Sequence, residues 1–242
     1  MKRSKSMRLI SWAVASVAIV FCPQTIQASV TLGDFTVNGK QSVTFADRTQ
    51  AELQAIADAA PAGTDRLSDL QTDISDYNNI KPTEISILGY EAISISADGQ
   101  WMHTPSGGTG PGGIDGNSRT TAAAYQLFGI SGMAADLNTL VGVFLSDTIP
   151  DPSSTPPLLS NLAGDDMSNP DIAQTFAIGE SLSDIIVPVG ATRLFLGMHD
   201  GREWINNSGF VTVTAEAVPE PSTILVWSLL GLIGLIGYKK LR

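Results

Sequence analysis

The sequence predicts a mainly β protein. It reads as a jelly-roll-like β-sandwich, with a short N-terminal β-hairpin and a two-helix segment before it and a C-terminal transmembrane helix after it. Three observations carry this expectation. Between residues 82 and 217, short apolar runs alternate with clusters of Gly, Pro, Asp and Asn, the punctuation of a many-stranded antiparallel fold. Between residues 49 and 77, apolar positions recur at spacings of three and four, the helical period. From Ile224 to Tyr238, fifteen residues contain one plainly polar side chain, Ser228.

Residues 1–28 have the build of a secretory leader. Lys2, Arg3, Lys5 and Arg8 form a charged start, Leu9 to Cys22 an apolar stretch, and Ile26-Gln27-Ala28 a small-residue cleavage site. The chain is therefore expected to leave through the secretion translocon, with Ser29 as its first mature residue. Cys22 is the single cysteine; the bulky Val20-Phe21 before it argues against a lipid-modified site. If the leader is removed, no disulfide or thiol chemistry remains in an oxidising destination.

Residues 29–217 carry seven Lys and Arg against 23 Asp and Glu, a net charge of −16. Such a surface repels nucleic acid and anionic lipid and favours solubility and cations. No internal repeat is present.

The elements follow in order. Residues 29–46 alternate apolar and polar side chains around Asn38-Gly39, a strong hairpin signal. Thr49-Gln50-Ala51-Glu52 is a capping box that opens a helix ending before Pro61. A second helix is expected from Thr64 to about Tyr77, with Leu67, Leu70, Ile74 and Tyr77 on one face and Asp65, Asp73 and Asp76 solvated. Residues 78–81 read as a hinge, which sets apart a segment of residues 29–81 from a sandwich of residues 82–217. Strands are expected at Ile85–Leu88, Ala92–Ile95, Leu140–Leu145, Thr175–Ile178, Ile185–Val189, Arg193–Gly197 and Phe210–Ala215. Residues 121–128 are ambiguous, with room for one helical turn.

Catalytic signals are weak, and a non-enzyme is expected. Gly107 to Gly116 is glycine-rich but lacks the Lys-Ser/Thr and helix of a phosphate loop. Of the two histidines, His103 and His199, the second adjoins Asp200; neighbours on a strand face opposite ways and do not form an orienting pair. No His cluster has zinc spacing. The loop after Met198 offers Asp200, Glu203, Asn206 and Asn207, carboxylate and amide oxygens of the kind a hard cation takes. The same residue types are also common in plain turns.

The tail has three parts: Pro219-Glu220-Pro221 followed by Ser222, the apolar run, and Lys239-Lys240-Leu241-Arg242. As a helix, 15 residues rise about 22 Å. With Ser222 and Thr223 added and the lysines snorkelling they span a bilayer core of roughly 30 Å. The basic end is expected on the cytoplasmic side. This tail resembles the PEP-CTERM sorting signal of exopolysaccharide-producing Gram-negative bacteria. The resemblance implies processing near the Pro219-Glu220-Pro221 motif by an exosortase-type enzyme. It also implies membrane anchoring before processing and a destination at the cell surface or extracellular matrix.

A second resemblance lies in the ectodomain. Asp200 followed by Asn206-Asn207-Ser208-Gly209 and an alternating strand, with Ala97 to Pro105 upstream, is similar to the calcium-dependent galactophilic bacterial lectins, a galactose-binding-like β-sandwich. It implies a calcium ion held by Asp200, Asn206, Asn207 and the backbone carbonyls of His103 and Trp204, with Glu203 an alternative to Trp204. Trp101 and Trp204 are the expected sugar-stacking residues. The Asp200–Asn206 loop looks one residue shorter than in that family, and no match is evident for its sugar-contacting histidine and glutamine. The expectation is an exported envelope or exopolysaccharide-associated protein that binds extracellular polysaccharide through calcium. The alternative is a structural envelope or biofilm-matrix protein with the same fold and no sugar site.

Overall fold

A computed structural model of the protein describes residues 29–103, 108–114 and 116–219. The expected leader and cleavage site, and the tail from Glu220 onward with the expected transmembrane helix, lie outside the described residues. Among the described residues no helix is long and apolar enough to cross a membrane.

The chain forms β1 (Val30–Asn38), α1 (Gln50–Asp58), α2 (Leu67–Ser75), α3 (Tyr77–Ile80), β2 (Thr83–Ser86) and β3 (Tyr90–Met102). It continues through β4 (Ser118–Thr120), β5 (Met133–Asp136), β6 (Leu140–Leu145) and β7 (Leu159–Ser160). It closes with β8 (Thr175–Ala177), β9 (Ser181–Ile186), β10 (Arg193–Met198) and β11 (Ser208–Pro219). One sheet has the order β1-β11-β3-β9, the other β2-β10-β6-β8, and a small third sheet joins β4, β5 and β7. Apolar residues of the two large sheets meet in one core. Ile93, Ile95, Val211, Val213 and Ala215 come from the first sheet, and Ile85, Val143, Phe144, Leu194 and Leu196 from the second. This is a β-sandwich, as the turn density implied.

Period-two patterning sets the first sheet. On β11, Val211, Val213, Ala215 and Ala217 are buried while Phe210 is exposed between strand neighbours. The second sheet differs. Every residue of β6 is buried, because residues 41–46 cover the outer face: the Met198 amide donates to the Gln41 carbonyl at 2.8 Å.

That cover corrects the expected N-terminal hairpin. The turn at Asn38-Gly39 forms, with the Gln41 amide donating to the Asn38 carbonyl. The chain beyond it does not return along β1. Val43–Phe45 is a 3-10 turn with all three residues buried, and β1 pairs antiparallel with β11 instead. The apolar side chains of residues 43–45 are better buried on the second sheet and beneath α1 than on an isolated ribbon, which is marginal in water.

α1 starts where the capping box placed it. Thr49 accepts from the Glu52 amide and Glu52 accepts from the Thr49 amide. The second helix breaks into α2 and α3 at Asp76. A second, smaller core gathers Phe45, Leu53, Leu70, Ile74, Ile80, Tyr125, Phe128 and Trp204. It includes the 3-10 turn Ala123–Gln126 from the ambiguous stretch. The helical segment is thereby packed behind the loop that follows β10.

Candidate functional site

The loop leaving β10 is held at its start by two backbone bonds. The His199 amide donates to Thr139 at 2.8 Å, and the His199 carbonyl accepts from the Asn138 amide at 2.9 Å. The His199 ring is buried and faces the Arg119 carbonyl at 3.0 Å. Burial pulls its pKa down to about 4, against smaller raising contributions from hydrogen bonds to the Arg119 and Ala135 backbones. The imidazole is therefore neutral at ordinary pH and acts as a structural plug.

Asp200 follows and is 8% exposed. Burial pushes its carboxyl up to about 7, against a smaller lowering from the Asn207 amide. Asn207 is 1% exposed, yet neither its Oδ1 nor its Nδ2 finds a hydrogen-bond partner among the described residues. The amide is thus close enough to influence the carboxylate without completing a bond of good geometry. A buried amide with both polar atoms unmatched costs roughly 1–3 kcal/mol in desolvation, and such groups in native folds call for an explanation in terms of a ligand, ion or water.

Between Asp200 and Asn207 the backbone is tightly turned. Glu203 adopts positive φ (56°), an uncommon state for a non-glycine residue that concentrates at functional loops. Trp204–Asn206 forms a 3-10 turn. Asp73 on α2 clamps it, accepting from the Trp204 amide at 3.2 Å, the Ile205 amide at 2.9 Å and the Tyr125 hydroxyl at 2.6 Å. The Tyr125 oxygen in turn accepts from the Glu203 amide. Burial pushes Asp73 up to about 6, with the three hydrogen bonds opposing that rise. Asp73 was expected in solvent; it is fully buried. Its place beside Leu70 and Tyr77 at spacings of three and four is the sequence signal for that position. Gly209 closes the loop at φ 82°, where a Cβ would meet the Gln100 carbonyl at 2.5 Å.

The structure gathers His103, Asp200, Glu203 and Asn206 around one recess of about 210 Å³, together with Arg119, Leu137 and Arg202. A second recess of about 210 Å³ adjoins on the other side of Asp200, with Asp65, Arg66, Arg119 and Arg202 in its wall. Of the expected ligand residues, Asp200, Asn206 and His103 share the first recess, and Asn207 is buried beside Asp200. Trp204 does not line the recess, and its carbonyl accepts from the Asn207 amide at 3.1 Å; Glu203 lies in the wall where Trp204 was expected.

The two tryptophans expected to stack on sugar are corrected by their burial. Trp101 is 0% and Trp204 2% exposed. The Trp101 indole donates to the Asn138 carbonyl at 2.7 Å and the Trp204 indole to the Met198 carbonyl at 2.6 Å. Trp204 packs against Tyr125 at 4.9 Å between ring centroids. Trp101 shares the inward parity of Ile93 and Ile95 on β3, which turns it into the sandwich.

Among the described residues no group of three His, Cys, Asp or Glu has metal-binding geometry. A calcium ion does not need one, because amide and backbone oxygens complete its shell. The unmatched Asn207 oxygen beside a buried carboxylate fits such an ion. Arg119 and Arg202 oppose it, although Arg202 also reaches Asp69 at 3.8 Å.

No family model matches the chain, and no curated protein matches it. Among solved structures it is similar to a chain described as "EclA N-terminal domain; PllA-like lectin", at 13% identity and a TM-score of 0.34, over 77% of this chain and 97% of that one. At that level the likeness fixes no residue correspondence. Fold and site together define a two-sheet β-sandwich with a polar recess at the end where β10 passes into β11.

Proposed function

We propose that this is an exported, non-catalytic envelope or matrix protein that binds carbohydrate through calcium. The ion is held by the Asp200 carboxylate, the Asn206 and Asn207 side-chain oxygens, the His103 carbonyl and Glu203. The observation that carries this reading is Asn207, buried beside Asp200 with both amide atoms unmatched. Calcium, when bound, supplies a Lewis-acidic centre that vicinal sugar hydroxyls join directly. The chain's own residues orient the ligand: Asp73 holds the loop, and Arg119 and Arg202 offer donors at the rim. With two carboxylates and two guanidiniums around the recess, affinity is expected in the weak range of extracellular calcium modules, about 10⁻⁴–10⁻³ M. Export, tail processing by an exosortase-type enzyme and matrix attachment are supported by the leader composition and the Pro219-Glu220-Pro221 motif.

The test is retention on polysaccharide resin. Retention that requires calcium, disappears in chelator and disappears in Asn207→Ala is expected; equal retention with and without chelator defeats the proposal. A second reading, a structural envelope or biofilm-matrix protein without a sugar site, is favoured by the burial of both Trp101 and Trp204. It leaves no aromatic platform from these residues. In that case calcium raises the unfolding temperature without conferring retention on any glycan.

A further inference from the structure

The opposite end of the sandwich carries a different surface. Two loops meet there, β2–β3 and β9–β10. They are tied together by the Ile87 amide on the Thr192 carbonyl at 2.9 Å and the Val187 amide on the Glu91 carbonyl at 3.0 Å. Between them lies a recess of about 590 Å³, lined by residues 88–91 and 186–192. Leu88 is 71%, Ile186 51% and Val189 100% exposed, and Val30, at 45%, starts the strand that pairs beside Ala217 at the same end. These are four of the eight large apolar side chains exposed among the described residues. Scattered exposed apolar residues are ordinary, whereas a cluster of them marks a contact surface.

The chain's own course says what covers this surface. β11 ends at Pro219, paired with Tyr90 of the same recess. Four residues, Glu220 to Thr223, separate Pro219 from the apolar run that starts at Ile224. The five Cα–Cα steps from Pro219 to Ile224 reach at most about 18 Å, so a bilayer entered at Ile224 lies within that distance of the apolar end. Among the described residues Glu91 is the one charged group in the recess wall. The adjacent cation, Arg193, is already paired with Asp47. An apolar rim with one carboxylate, Glu91, and a tyrosine at its edge suits the interface of a zwitterionic bilayer.

We infer that, in the anchored form of the chain, the Leu88–Ile186–Val189 end rests in the bilayer interface and the Asp200 recess points away from it. β10 and β11 run from one end to the other, and the twelve residues of β11 place the two surfaces roughly 36 Å apart. The inference rests on the reading of Ile224 to Tyr238 as a bilayer segment. It does not depend on calcium or sugar.

The test places an environment-sensitive fluorophore at Val189→Cys or Leu88→Cys in the full chain, in a Cys22→Ser background. A control label sits at Ser68→Cys on α2, near the recess end. Each chain is reconstituted in phosphatidylcholine vesicles, with chelator present throughout so that the outcome is separate from any calcium site. The expected result is a blue-shifted Val189 and Leu88 signal that is largely lost when acyl-chain nitroxide lipid is included, with Ser68 unaffected. Several results overturn the inference. They are an aqueous spectrum at Val189 in floated vesicles, or a blue shift that nitroxide lipid does not quench, which assigns the surface to the tail. A shift that grows with protein concentration assigns it to a second copy. A chain that fails to float with the vesicles removes the anchor on which the inference rests.

Discussion

Two buried carboxylates flank the same loop, and they differ in how far their polar neighbours are satisfied. Asp73 is 0% exposed and accepts three hydrogen bonds. Asp200 is 8% exposed, and its close neighbour Asn207 has both amide atoms unmatched. Burial raises both carboxyl groups, Asp73 to about 6 and Asp200 to about 7. A raised carboxyl is therefore a poor guide to function here. What separates the clamp from the candidate site is whether the surrounding polar groups are satisfied.

The largest expected effect breaks the clamp. Asp73→Ala leaves two loop amides and the Tyr125 hydroxyl without their acceptor. It should lower the unfolding free energy by about 3–5 kcal/mol in urea titrations. Asp200→Ala, measured without calcium, should cost far less. Equal losses would erase the distinction between the two groups.

The next effect sharpens it. With calcium at about 100 times its dissociation constant, the intact chain should gain roughly 2.7 kcal/mol of stability. Asp200→Ala and Asn207→Ala should abolish that gain. Calorimetry of the three chains with calcium and with chelator decides the matter.

A smaller effect follows pH. A carboxyl whose folded pKa lies above its unfolded value keeps more protons in the folded state. Stability is then fully present below the unfolded pKa of 3.8 and falls as pH rises through about 7 for Asp200. The slope from one group is at most about 1.4 kcal/mol per pH unit. Asp73 acts in the same direction up to about 6. His199, pulled down to about 4, acts oppositely, losing stability as pH falls below 6.5. Subtracting the metal-free Asp200→Asn profile from that of the intact chain removes the shared contributions. The difference should decline from pH 4 to 7; a flat difference would remove Asp200 from the set of strained groups. Calcium binding should weaken over the same range as pH falls, since the ion competes with the proton.

The smallest effect concerns Asn206, which is exposed. Asn206→Ala should change metal-free stability by less than about 0.5 kcal/mol while still weakening calcium binding in a direct titration.

Much of this molecule was legible without coordinates. The capping box at Thr49 and Glu52, the runs that became β6, β8 and β10, and the alternating β11 are local signals, set by hydrogen bonding and side-chain period within a few residues. The candidate loop was legible as chemistry, because Asp200, Asn206 and Asn207 are the oxygen-bearing types a hard cation takes. Its architecture was not. The two strands that flank it do not pair with each other: the loop crosses from one sheet to the other, since β10 pairs with β2 and β6 while β11 pairs with β1 and β3.

Local pattern was enough for a many-stranded β region with strong acidic excess, for the start of the first helix, and for the loop that carries the hard-cation oxygens. Tertiary structure alone decided that β1 leaves its own turn for β11, that Asp73 is a clamp, that Trp101 and Trp204 serve the core, and that the polar recess and the apolar rim occupy opposite ends. The physical reason is common to all four. Which partner a strand edge or a buried polar atom finds depends on groups distant along the chain. Period and composition, which act over a few residues, do not choose among them.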